Sequence, residues 1–213
     1  MIENKLKRLL QSGGTAIGTM ICDARTPAIA RALAVAGFDY FILDTEHGSY
    51  SLETVSDMMQ MARLEGITPI VRVPDFSYPF IARTLDAGAL GVMVPRVKTR
   101  AQVEQVVAAA KYPPMGERGM MNARTNTDYR GMTIGEYGTW ANAETIVNVQ
   151  VETQEFVRRL ASVHVNPPSF EISTSATSPP YTPYFSQNVR TGKVAPDRST
   201  GCFNSSAAFS LAT

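Results

Sequence analysis

Residues 38–48 read Phe38-Asp39-Tyr40-Phe41-Ile42-Leu43-Asp44-Thr45-Glu46-His47-Gly48. Tyr40 to Leu43 form a continuous apolar run instead of an alternating one, as expected of a parallel strand covered on both faces. The run stops in a polar exit, Asp44-Thr45-Glu46-His47, closed by Gly48. In a parallel βα architecture the strand C-terminal ends share one face, where loops vary while the sheet holds them in place.

The same alternation extends in both directions. Upstream, residues 16–21 are a strand candidate, and residues 1–11 suit a short amphipathic helix, with Lys5, Lys7 and Arg8 among Leu6, Leu9 and Leu10. Between them and the central strand, Pro27 opens a helix after Thr26. Ile29, Ala30, Leu33 and Ala34 recur there at buried-face spacing until Gly37. Downstream, residues 52–64 place Val55, Met58, Met59 and Ala62 on one helical side, with Gly66 as the stop and the Met pair as core filler. Strands at 69–73 and 91–94 and helices at 79–87 and 100–110 follow, each bounded by Gly or Pro. A longer connection carries Pro113-Pro114, Gly116, Arg118 and Gly119. Residues 134–143 then suit a helix, and 145–151 are a nearly all-apolar strand running into Glu152-Thr153. This predicts an α/β chain of about five βα units on a parallel sheet.

Past about residue 160 the character changes. Ser, Thr and Pro supply 10, 6 and 6 of the 53 residues from 161 to 213, and charged residues only 5. Such a composition lacks the apolar periodicity that offsets the entropy of ordering a chain, so 160–213 is expected to be irregular or disordered. A barrel domain over 1–159 would then end on an unpaired strand edge.

The chain has 213 residues, 44% of them hydrophobic, and a formal net charge of +1 with its basic residues scattered. One domain is expected, with a small-molecule partner and neither nucleic acid nor an anionic membrane. The N-terminus lacks a secretory apolar region and no apolar run reaches the length of a membrane span, so a cytoplasmic location is expected. Cys22 and Cys202 fit neither a disulfide framework nor a zinc spacing and are expected to be free thiols.

The strand exits bring together Asp44, Glu46 and His47, then Arg72, then Pro95-Arg96, then Gln150 and Glu152. His47 is the one histidine outside the tail and suits proton transfer, with Asp44 or Glu46 available to orient it. Arg72, set among Ile70, Val71 and Val73, needs an anionic partner or strong hydrogen bonding. It either stabilises charge developing on a substrate oxygen or forms an internal ion pair with Glu152 or Asp44. Glu152 can offer oxygen to a hard divalent ion, although one carboxylate does not make a metal site.

Five segments together resemble the HpcH/HpaI aldolase family over about residues 1–155. They are Phe41-Ile42-Leu43-Asp44-Thr45-Glu46-His47, Pro69-Ile70-Val71-Arg72-Val73-Pro74, Gly91-Val92-Met93-Val94-Pro95, the Tyr112-Pro113-Pro114 stretch with Gly116 and Arg118-Gly119, and Val149-Gln150-Val151-Glu152-Thr153. The resemblance implies a (β/α)8 TIM barrel, here incomplete. It also implies class II aldol cleavage or condensation of 4-hydroxy-2-oxo acids to pyruvate and an aldehyde, with Mg²⁺, Mn²⁺ or Co²⁺ as cofactor. By the same resemblance His47, paired with Asp44, is the acid/base acting through a metal-bound water. Arg72 binds the pyruvyl keto oxygen, Gln150 lines the substrate site, and Glu152 is a metal ligand. Members continue with a Gly-Pro-x-Asp-Leu-Ser type motif whose Asp is the second metal ligand, and with a C-terminal helix exchanged in hexamers. Neither is recognisable here, and the abrupt change near residues 156–160 is read as a frame change or an alternative terminus. Met20 stands where some members carry an aromatic residue. The alternatives are an inactive barrel fragment and a citrate-lyase β-like enzyme acting on CoA thioesters.

Overall fold

Each predicted apolar run becomes a strand and each predicted amphipathic run a helix, in the predicted order. The structure, a computed structural model, describes residues 2–121, 124–152, 170–174 and 207–211. The elements are α1 (Lys5–Gln11), β1 (Gly18–Ile21), α2 (Ala28–Val35), β2 (Tyr40–Asp44), α3 (Leu52–Glu65), β3 (Thr68–Arg72) and α4 (Tyr78–Asp86). They continue with β4 (Gly91–Val94), α5 (Arg100–Ala110), a 3₁₀ turn at Thr125–Thr127, α6 (Ile134–Glu144) and β5 (Ile146–Val151). Helix ends follow local chemistry. Ser51 caps α3 by accepting from the Thr54 N–H, and Gly66 ends that helix at φ +71°. Capping boxes open α5 at Thr99 with Gln102 and α6 at Thr133 with Glu136.

β1 to β5 pair in parallel and in chain order. The edge of β5 is not left bare, as expected from the sequence, but pairs antiparallel with β7 (Ala207–Leu211), which pairs antiparallel with β6 (Phe170–Thr174). Ten residues of the stretch expected to be irregular are therefore strands, while the rest of it, Cys202 included, lies outside the described residues. An averaged composition hides runs as short as Phe-Glu-Ile-Ser-Thr, and an open edge of unpaired N–H and C=O groups pairs with any strand that reaches it. Among the described residues no helix is long and apolar enough to cross a membrane.

The sheet has two differently covered faces. Phe41, Leu43, Val71, Val73, Val92, Val94, Val147 and Val149 pack outward against α2 to α5, where Met58 and Met59 fill the layer as expected. Ile70, Met93 and Ile146 point to the other face with Tyr40 and Ile42, and Leu6 of α1 closes its lower end. Helix α1 is fastened there by Asn4, whose side chain donates to the carbonyls of Leu90 (3.0 Å) and Glu144 (2.8 Å). The upper end of that inner face is left to polar side chains.

Beside α6, the Lys111 ammonium is buried and donates to the carbonyls of Asn142 (2.6 Å) and Thr145 (3.0 Å). Burial, reinforced by the charge of Lys7, pushes its pKa down to about 7. Between that value and the ordinary lysine value of roughly 10.4 the unfolded chain binds more protons than the folded one, so stability rises with pH across this window. Urea midpoints measured at about pH 7, 8.5 and 10 are expected to climb, and Lys111→Met is expected to flatten the climb.

Candidate active site

Register decides which side chains meet at the top of the inner face. Asp44 lies opposite Arg72, Arg72 opposite Met93, and Met93 opposite Asn148. Residues opposite one another in a ladder point to the same face. Alternation along β5 adds Gln150 to that face and Glu152 just past the strand end.

Asp44 and Arg72 form the centre. Arg72 Nε donates to Asp44 Oδ1 at 2.8 Å and Nη2 to Oδ2 at 2.6 Å, a bidentate pair with Asp44 fully covered and Arg72 nearly so. The backbone N–H groups of Glu46 (3.0 Å) and His47 (3.3 Å) donate to the same Oδ1. Burial pushes the Asp44 carboxyl up, but the hydrogen bonds and charge of Arg72, with these two amides, outweigh it and hold the pKa below the usual value. For Arg72 burial works to lower the pKa, and Asp44 and Glu46 reverse this, so the guanidinium stays charged.

Glu46 links this pair to the neighbouring exits. Its carboxylate lies 3.4 Å from Arg72 Nη1, 3.6 Å from Arg96 Nε and 4.0 Å from His47 Nε2. Arg96 also donates its backbone N–H to Glu152 Oε2 at 2.8 Å. His47, Arg72 and Glu152 thus sit at one end of the sheet, joined through Glu46 and Arg96. The chain can make this bend because of Gly48: a Cβ there would run into the backbone carbonyl oxygens of Asp44 and Cys22.

One pairing differs from that inferred from the sequence, and one left open there, Glu152 or Asp44 as the partner of Arg72, is decided. The His47–Asp44 dyad is not formed, because both Asp44 oxygens are taken by Arg72 and backbone amides. The His47 ring is 73% exposed and faces Glu46 instead. Arg72 pairs with Asp44 and not with Glu152, whose carboxylate is held by the Arg96 amide. Arg118 of the 112–121 stretch pairs with Asp86 of α4 at 2.5 Å and lies over the Tyr112 ring. Cys22 is free, its Sγ 3.8 Å from Asp44 Oδ2.

Sequence reasoning missed Asn148. Asn148 Oδ1 and Gln150 Oε1 are both buried without a hydrogen-bond partner. Asn148, Gln150 and Glu152 at period two inside an apolar strand were the available signal of a polar inner face. Unsatisfied buried acceptors await a donor, whether water or ligand.

Among the described residues no three His, Cys, Asp or Glu side chains gather as a metal site. The donors at this end are oxygens, namely the Glu152 carboxylate with the unpartnered Gln150 Oε1 on the same face. Such a set fits a hard divalent ion that keeps several waters and takes further ligands from its substrate.

The family model described as HpcH/HpaI aldolase/citrate lyase matches residues 19–168. The chain belongs to the HpcH/HpaI aldolase/citrate lyase family. It is 34% identical over 160 residues to a hydroxypyruvate/pyruvate aldolase of Roseobacter denitrificans (strain ATCC 33942 / OCh 114), covering 75% of this chain and 62% of that protein. To a 4-hydroxy-2-oxovalerate aldolase of Novosphingobium aromaticivorans it is 34% identical over 163 residues, 75% and 60% of the two chains. The crystal structure of an HpcH/HpaI aldolase from Desulfitobacterium hafniense DCB-2 superposes with a TM-score of 0.70 at 34% identity, over 74% of this chain and 60% of that one. The α/β fold is therefore that of HpcH/HpaI aldolases, TIM-barrel-like, with five parallel strands in place. This chain spans about 60% of the length of these relatives, which are carbon–carbon lyases.

Proposed function

We propose that this HpcH/HpaI chain performs a metal-dependent aldol reaction, cleaving 4-hydroxy-2-oxo acids to pyruvate and an aldehyde or condensing them. The observation that carries this reading is the Arg72 guanidinium, locked by Asp44 and Glu46 at the strand exits, with His47 and Glu152 at the same end.

Cleavage breaks the C3–C4 bond of the substrate. The C4 hydroxyl loses its proton, the aldehyde carbonyl forms, and the bonding electrons pass to the 2-oxo group as an enolate. That negative charge develops beside a guanidinium whose position is set before substrate arrives, so little reorganisation is needed. Asp44 contributes by orientation: two hydrogen bonds to Arg72 and two from the following loop fix both groups in one frame. His47, exposed and next to Glu46, is the group free to carry the hydroxyl proton and to return one to C3, which completes pyruvate. Glu152, with Gln150 beside it, would hold a divalent ion, which when bound would supply Lewis-acid polarisation of the 2-oxo group. The buried Asn148 and Gln150 oxygens on the same face offer acceptors for hydroxyl or water hydrogens.

The test is pyruvate release from a 4-hydroxy-2-oxo acid, followed with lactate dehydrogenase and NADH, with Mg²⁺, Mn²⁺ or Co²⁺ present or chelated. Release that requires the ion supports the reading, and His47→Gln is expected to lower kcat about 10²-fold, a typical loss for a general acid/base. Absence of release with all three ions, in protein shown by circular dichroism to be folded, overturns it and leaves a barrel that keeps these side chains without chemistry.

A further inference from the structure

Arg96 leaves β4 after Pro95 with φ +59°, a left-handed backbone that costs an L residue strain and glycine nothing. Its N–H is used, at 2.8 Å from Glu152 Oε2. Glycine would supply the same N–H without the strain, so the backbone bond does not account for an arginine here. The side chain is 58% exposed, and its guanidinium donates to the Pro74 carbonyl and lies 3.6 Å from Glu46. Glu46 is already paired with Arg72 at 3.4 Å and faces His47, so it stays neutralised when Arg96 turns away. A half-exposed pair at that distance holds its cation weakly.

We propose that Arg96 is a specificity-determining residue whose guanidinium receives a carboxylate on the aldehyde half of the substrate, so that 4-hydroxy-2-oxo diacids are preferred over monoacids of equal length. The reaction named here rests on the aldolase reading, but the binding geometry does not. Arg72 and Arg96 both lie within 3.6 Å of the one Glu46 carboxylate. The two cations are therefore separated by little more than a carboxylate and its hydrogen bonds, a gap a five-carbon 2-oxo diacid can span. Its 2-oxo end meets Arg72 and its far carboxylate meets Arg96, as a planar fork matched to a carboxylate.

Isothermal titration of the full chain with Mg²⁺ tests this without turnover, comparing 2-oxoglutarate with 2-oxopentanoate, in which a methyl group replaces the distal carboxylate. Wild type is expected to bind 2-oxoglutarate about tenfold more tightly, the scale of one charge-assisted hydrogen-bonded contact. Arg96→Gly, which relieves the backbone and keeps the N–H, and Arg96→Met are both expected to bring the ratio close to one. Arg96→Lys is expected to keep part of the preference. Equal or undetectable binding of the two acids by wild type, or an unchanged ratio in Arg96→Gly, overturns the proposal. Selective binding with no cleavage of any 4-hydroxy-2-oxo acid would remove the aldolase reading and leave Arg96 as the anion-binding residue. Cleavage without a preference does the reverse.

Discussion

Arg72→Met is expected to lower kcat for pyruvate release by about 10³-fold and to destabilise the fold by roughly 3–5 kcal/mol. Both effects come from one guanidinium. The kinetic loss is that of a fixed donor aimed where enolate charge develops. The stability loss arises because Asp44, fully covered at the end of β2, keeps its charge and loses its bidentate partner. The acid limb separates the two contributions. Asp44 has a folded pKa below its unfolded value, so its stabilisation is complete above the unfolded pKa, roughly 4, and is lost as pH falls through the lower folded one. Removing Arg72 raises the folded pKa, and the acid unfolding midpoint is expected to move to higher pH. Asp44→Asn in the same background should then recover stability but not activity, measured by urea denaturation and the coupled assay. If that double variant regained turnover, Arg72 would be a structural cation only.

Glu152→Gln is expected to cost a similar 10³-fold in metal-dependent turnover, since a Lewis acid contributes several kcal/mol to charge stabilisation and each 1.36 kcal/mol is about tenfold in rate. The stability change is expected to be within about 0.5 kcal/mol, because Glu152 lies on the exposed rim and glutamine keeps an oxygen for the Arg96 amide. Titration with Mn²⁺ followed by water-proton relaxation reads the binding directly. Unchanged Mn²⁺ affinity in the variant would take Glu152 out of the metal role.

Much of this was legible beforehand. The apolar run from Tyr40 to Leu43 became β2 with one residue added, and the strand at 91–94 and the helix at 100–110 have the bounds expected. Such features are set by local periodicity, which survives in a single window of sequence. The Ser/Thr/Pro-rich stretch concealed β6 and β7, because pairing with a distant edge and not local patterning makes them strands. Asn148 was passed over for a related reason: in an apolar run one amide reads as noise until the pleat shows it beneath Gln150 and Glu152.

The order of elements, and the placing of Asp44, His47, Arg72, Gln150 and Glu152 at one end of the sheet, were legible in the sequence alone. Alternation and strand exits are properties of a chain read a few residues at a time. Which carboxylate serves which cation was decided only in three dimensions. Asp44 takes Arg72, 28 residues away, because the β2–β3 register sets them opposite each other. His47 is turned to Glu46, and Arg96 to both Glu46 and Glu152, by backbone bends after the strands. Charge pairing depends on distances of a few ångströms between separate strands, and no local pattern encodes those distances.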